Sequence, residues 1–85
     1  MKKYYVYNDW ELSKCYWTYD YDSAVAAANR MVEGWKRKNR KYFDDFQVEV
    51  DILGKNECNP ENVHVWITDR QDFPFWRNIR NVIEL

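Results

Sequence analysis

Among the residue types able to do chemistry His64 stands apart, because it is the only histidine in the chain and imidazole is the usual titrating base near neutral pH. It lies in Val63-His64-Val65-Trp66-Ile67-Thr68, where apolar and polar side chains alternate as they do in a strand with one buried face. The segment Phe46-Gln47-Val48-Glu49-Val50-Asp51-Ile52 alternates in the same way. Paired as a wide antiparallel hairpin with Ile52 opposite Val63, these strands would set Asp51 against His64, Glu49 against Trp66 and Gln47 against Thr68. Asp51 beside His64 supplies the orienter and base of a nucleophilic triad. The nucleophile would have to be Cys15, Cys58 or a serine, and no nucleophile-elbow motif is present. A cross-strand polar pair on a solvated face accounts for the two residues more simply. No catalytic residue is assigned, and the protein is not expected to be an enzyme.

Metal chemistry meets a similar objection. Zinc would need Cys15, Cys58, His64 and a carboxylate, and none of the short ligand-pair spacings of structural zinc sites occurs. Asp20 and Asp22, and the adjacent Asp44 and Asp45, are paired carboxylates able to hold a hard cation. Asp22 is better explained as a helix cap, and Asp44-Asp45 as a solvated turn. Neither glycine has a second within reach of a phosphate-cradling pattern. The sequence therefore assigns no metal and no cofactor.

Charge is more informative. The formal total is only −1, yet the signs are segregated along the chain. Residues 30 to 41 carry Arg30, Lys36, Arg37, Lys38, Arg40 and Lys41 against Glu33, whereas residues 42 to 62 carry Lys55 against Asp44, Asp45, Glu49, Asp51, Glu57 and Glu61. On a helix, Arg30, Arg37 and Lys41 share a narrow stripe able to touch a phosphate backbone or an acidic protein. The same cations also suit a solvated helix C-terminus.

These side chains need elements to hold them. At 85 residues the chain is sized for one domain, 1–85, burying about 60 to 65% of its unfolded surface. Tyr4 to Tyr7 and Cys15 to Tyr19 are dense in β-forming aromatics and flank Asn8-Asp9 and a polar loop, which suggests an antiparallel hairpin. Asp22 or Ser23 can cap a helix running to about Tyr42, with Val25, Ala28, Val32 and Trp35 as its buried stripe and Gly34 outside it. In the tail, Phe75, Trp76, Ile79, Val82 and Ile83 fit a helical face with Pro74 in its first turn, while Ile79, Ile83 and Leu85 also fit a strand. Helix is preferred. The expected fold is α+β: an antiparallel sheet of about four strands with one long helix on one face, in the order β-β-α-β-β-α.

Seven Tyr, five Trp and four Phe make 19% of the chain, while leucine occurs only at Leu12, Leu53 and Leu85. One helix covers one sheet face, and Phe46, Val48, Val50, Ile52, Val63, Val65 and Ile67 already supply it. Trp66 and several tyrosines then lie on an open face, beyond the scattered apolar exposure of a monomer, and Tyr and Trp dominate interface hot spots. Two alternatives exist: Phe73, Phe75 and Trp76 could fold across that face, or a second copy could cover it in a homodimer. RNA stacking there is disfavoured, because Glu49 and Asp51 would repel phosphate.

A short, Tyr/Trp/Asn-rich, leucine-poor domain resembles in general character the accessory proteins of bacteriophages, many of which bind and inhibit host or defence proteins. The expectation is thus a non-catalytic protein-binding module that occludes its partner through Trp66, Glu49, Asp51, His64, Tyr5 and Tyr7. The alternative is a nucleic-acid or nucleotide binder that uses Arg30, Arg37, Arg40 and Lys41. Met1-Lys2-Lys3 leads into a polar-aromatic stretch with Asp9 and Glu11 rather than an apolar run, and no window reaches a membrane span of ~18 apolar residues. A cytoplasmic protein, in the host cytoplasm if viral, is therefore expected. Cys15 and Cys58 are expected as two thiols rather than a disulfide.

Overall fold

A computed structural model of the chain describes residues 1–39, 48–55 and 57–85. Its elements are β1 (Tyr4–Asn8), β2 (Lys14–Thr18), α1 (Tyr21–Lys38), β3 (Val48–Ile52), β4 (Val63–Thr68), α2 (Phe73–Trp76) and β5 (Asn81–Glu84). Phe46, Gln47, Asp44, Asp45, Arg40 and Lys41 lie outside the described residues, and with them part of the expected acidic turn and basic stripe.

The expected first hairpin is present. β1 and β2 pair antiparallel, with Tyr5 opposite Trp17 and Val6 opposite Tyr16. Asn8 shapes the connection: its buried side chain accepts hydrogen bonds from the backbone N–H of Trp10 (3.1 Å) and Glu11 (2.8 Å), the local turn chemistry to which asparagine is suited.

The sheet is mixed and has five strands, in the order β3-β4-β1-β2-β5, which corrects the antiparallel four-stranded expectation. β1 is antiparallel to β2 and β4, whereas β3–β4 and β2–β5 are parallel pairs. The wide hairpin is therefore replaced by a parallel return. Leu53 (φ 56°) and Gly54 (φ 69°) take successive left-handed conformations directly after β3, turning the chain off the sheet. Glycine is suited to that backbone and leucine is not. The register becomes Glu49 beside His64 and Asp51 beside Trp66.

α1 begins two or three residues earlier than expected. Asp20, rather than Asp22 or Ser23, is the N-cap, and its carboxylate accepts from both the backbone N–H (3.1 Å) and the hydroxyl (2.6 Å) of Ser23. Asp22 sits in the first turn, where its charge suits the helix dipole. Ala24, Ala27 and Ala28 are buried against Val6, Val65 and Ile67, and Val25, Val32, Val48, Val50 and Ile52 pack around them. Small alanines bring the helix axis close to the sheet. Trp35, expected in the buried stripe, is only half-buried.

The preferred helical reading of the tail holds only for its first turn, and Val82 and Ile83, expected on that helix face, lie in a strand instead. α2 is a single turn with Pro74 at its start, and β5 follows as a parallel neighbour of β2, pairing Cys15 with Val82 and Tyr16 with Ile83. Because β4 and β5 run the same way, the chain must cross the sheet between them, and α2 is that crossing. No helix is long and apolar enough to span a membrane among the described residues.

Candidate functional site

The crossing decides the fate of the aromatic face. Phe73 of α2 is buried against Tyr5 and Cys15, with Tyr7, Trp17 and Ile79 around them. From it a row of rings runs across the strands. Phe73 lies 4.3 Å from Tyr7 between centroids, Tyr7 stacks on Trp66 at 4.9 Å, and Trp66 stacks on His64 at 5.3 Å. Such contacts contribute about 0.5–1.5 kcal/mol each beyond the area they bury. The aromatic face expected around Tyr5, Tyr7 and Trp66 is thus covered by the tail only in part: Phe73 lies over Tyr5 and Tyr7, while Phe75 and Trp76, expected to fold across with it, are exposed. Tyr5 and His64 are buried, and Tyr7 and Trp66 half-buried. Burial raises the Tyr7 phenol above its ordinary range, with the Arg77 cation opposing.

At the far end of that row His64 gathers polar groups from three elements. Asp9, just after β1, accepts the backbone N–H of His64 at 2.8 Å, and the same carboxylate oxygen, Oδ2, lies 3.3 Å from Nδ1. Nε2 is 3.5 Å from Oε2 of Glu49, delivered by the parallel register. Cys58, from the returning segment, completes a set with Glu49 and His64 whose donor atoms all lie within 4.8 Å of one another. Glu49 is itself held, accepting the backbone N–H of Asn59 (2.8 Å) and the side-chain amide of Asn62 (2.9 Å). These hydrogen bonds, Asn62 foremost, hold its carboxyl below the usual range. Nε2 of His64 is buried with no hydrogen-bond partner, at an ordinary cost of about 1–3 kcal/mol for an unsatisfied buried polar group.

In order, Asp9, His64 and Cys58 resemble an orienter, a base and a nucleophile. Glu49 opposes that use. Burial raises the Cys58 thiol, and the neighbouring Glu49 carboxylate raises it further, whereas a nucleophilic cysteine needs a depressed pKa. Cys15, the other candidate zinc ligand in the sequence, is sealed under Phe73 away from this group. Both cysteines are free thiols, as expected.

On the opposite face one helix cannot cover five strands about 4.8 Å apart. α1 packs most closely on β1 and β4 and less on the strands flanking them, β2 and β3. A cleft of about 440 Å³ opens between Tyr16 and Leu85 on the sheet side, Trp10 and Glu11 of the β1–β2 connection, and Arg30, Gly34, Trp35 and Lys38 of α1. Trp10 and Trp35 approach to 6.4 Å between centroids. Arg30 thus borders a concave site, whereas Arg37 is exposed and does not line it. Sequence reasoning missed Trp10, Tyr16 and Lys38 here, because only the topology places β2 beside the helix end.

β5 forms the outer edge of the sheet beside this cleft. All four of its residues are exposed, and Val82, Ile83 and Leu85 retain 42, 40 and 43% of their accessible surface. No family model, curated protein or solved structure matches the chain.

Proposed function

We propose that this domain is a non-catalytic protein-binding module that captures an extended segment of another protein on the open edge of β5. The supporting observation is the exposed apolar edge strand. Asn81 N–H donates to Ser13 (3.3 Å) and Leu85 N–H to Trp17 (2.9 Å). By alternation, the peptide groups of Val82 and Glu84 point away from the sheet. Such an edge is a template for a further strand, and strand addition is a recurring mode of peptide recognition. Most proteins blunt exposed edges with proline, lysine or a bulge, whereas this one presents Val82-Ile83. The adjoining cleft can receive side chains of the added segment, and Arg30 and Lys38 at its border favour acidic ones. Occupying a partner in this way occludes it, which suits the role of an inhibitor of the bacteriophage accessory type. In this reading Trp66, Tyr5, Tyr7, His64, Glu49 and Asp51 belong to the supporting face and not to the contact.

The test is selection of binders from a displayed random-peptide library, followed by hydrogen exchange. Selected peptides should protect the Val82 and Glu84 amides. Val82→Pro deletes an outward donor while sparing the bonds to β2, so it should abolish capture with the circular dichroism spectrum unchanged. Equal binding by Val82→Pro and wild type would refute strand addition. A second copy pairing through the same edge would appear in sedimentation as a dimer lost in that variant.

One observation favours a second reading, an anionic ligand such as a nucleotide. The cleft combines Arg30 and Lys38, against the single carboxylate of Glu11, with the rings of Trp10, Tyr16 and Trp35, a stacking environment with a cationic excess that suits a base carrying phosphate.

A further inference from the structure

We propose that Glu49, Cys58 and His64 form a binding site for a zinc-class divalent cation, oriented by Asp9, Asn59 and Asn62. The site lies across β3, β4 and the segment joining them, and it is independent of the β5 edge.

The convergence of donors comes first. A carboxylate oxygen, a sulfur and an imidazole nitrogen stand within 4.8 Å of one another, brought there by the parallel register and by the left-handed turn at Leu53-Gly54. Glu49 Oε2 and His64 Nε2 are 3.5 Å apart. Two ligands about 2.0–2.1 Å from one tetrahedral ion are separated by roughly 3.4 Å, so this pair already has the spacing that an ion between them requires.

The second observation is the orphaned nitrogen. The His64 side chain is only 10% exposed, and its Nε2 has no hydrogen-bond partner. Asp9 Oδ2 lies 3.3 Å from Nδ1, and Nε2 is turned to the side where Glu49 and Cys58 stand. A cation between Nε2 and the Glu49 carboxylate gives the orphaned nitrogen a partner and the carboxylate a counter-charge.

The outer contacts agree. Metal-bound histidines usually give their other nitrogen to a carboxylate or carbonyl, and ligating carboxylates are themselves hydrogen-bonded. Here Asp9 stands at Nδ1, while the Asn59 backbone and the Asn62 amide hold the two oxygens of Glu49. Mixed nitrogen, sulfur and oxygen donors exclude Mg²⁺ and Ca²⁺, which take oxygen, and select zinc and its d-block neighbours. Three protein donors leave a fourth tetrahedral position for water.

The experiment is titration of the whole protein, stripped with chelator, using Co²⁺ as a spectroscopic probe and Zn²⁺ as competitor. One Co²⁺ per chain should bind with a thiolate-to-cobalt charge-transfer band and visible d–d bands of tetrahedral intensity, all displaced by Zn²⁺. The charge-transfer band should vanish in Cys58→Ser and survive in Cys15→Ser. Asp9→Asn should weaken Zn²⁺ binding about 10- to 100-fold, the usual effect of losing such an outer partner. Circular dichroism of each variant separates lost binding from lost folding, and Zn²⁺ protection of Cys58 from alkylation tests wild type alone. Absence of the charge-transfer band in wild type, or its persistence in Cys58→Ser, overturns the proposal. So does an imidazolium at His64 above neutral pH that Zn²⁺ leaves unchanged in the NMR spectrum, because a proton would then occupy the place of the ion.

Discussion

Phe73 lies 4.3 Å from Tyr7 between ring centroids, and that contact joins the tail to the aromatic side of the sheet. It covers the Tyr5 and Tyr7 part of the sheet face opposite α1 with one turn of helix. Phe73 is 2% exposed, so Phe73→Ala should destabilise the fold by about 3–5 kcal/mol, as truncations of buried aromatics do. The uncovered Tyr5, Tyr7 and Trp17 should bind a hydrophobic dye. Denaturant titration and dye fluorescence measure the two effects; a loss below about 1 kcal/mol would show that the roof is dispensable.

The two thiols should differ sharply in reactivity. Cys15 is fully buried beneath that roof, and burial pushes its thiol up to about 11, whereas Cys58 is only half-buried. At pH 8 a thiol reagent should label Cys58 slowly and Cys15 only through unfolding. The folded pKa of Cys15 exceeds its unfolded value, so the native state keeps a proton that the unfolded chain has already released. Stability should therefore be level at neutral pH and fall as pH rises from about 9 to 11. Cys15→Ala should flatten part of that decline in denaturant titrations; the raised Tyr5 and Tyr7 phenols contribute with the same sign.

Alternation in residues 63–68 assigns Val65 and Ile67 to the helix side and His64 and Trp66 to the other, and the structure keeps those faces. What alternation cannot carry is strand direction, because a period of two is the same in parallel and antiparallel pairs. Asp51 was therefore expected beside His64, and Glu49 is there instead. The Glu49, Cys58 and His64 group was illegible for the same reason: it depends on register and on a returning segment, and no local spacing encodes either. The tail was ambiguous because Phe73 to Leu85 spends its residues on a crossing turn and then a strand, each too short to establish a period.

Gly34 has no structural demand upon it. A Cβ there meets nothing within 4 Å, it sits inside α1, and it borders the cleft. Gly34→Ala should raise stability by about 0.8–1 kcal/mol, the propensity difference between the two residues, with the β5 edge unaffected. Thermal unfolding reads the gain. An unchanged or lowered midpoint would mean that the helix needs glycine there for a reason beyond propensity.

Arg30 and Arg37 are two helical turns apart and share one flank of α1, yet only Arg30 lines the cleft. The two predict different outcomes for anionic ligands. If a nucleotide seats between Trp10 and Trp35, Arg30→Glu should reduce its affinity by tenfold or more, whereas Arg37→Glu should have little effect. If instead a nucleic-acid backbone lies along the helix, both reversals should weaken binding and lower the slope of affinity against salt by about one phosphate contact each. Fluorescence quenching of Trp10 and Trp35 by a mononucleotide, and salt-dependent titration with a short duplex, distinguish the cases. Absence of both effects leaves the cationic border to acidic side chains of a captured protein segment, and in selected peptides Arg30→Glu should then shift the preference from Asp and Glu towards Lys and Arg.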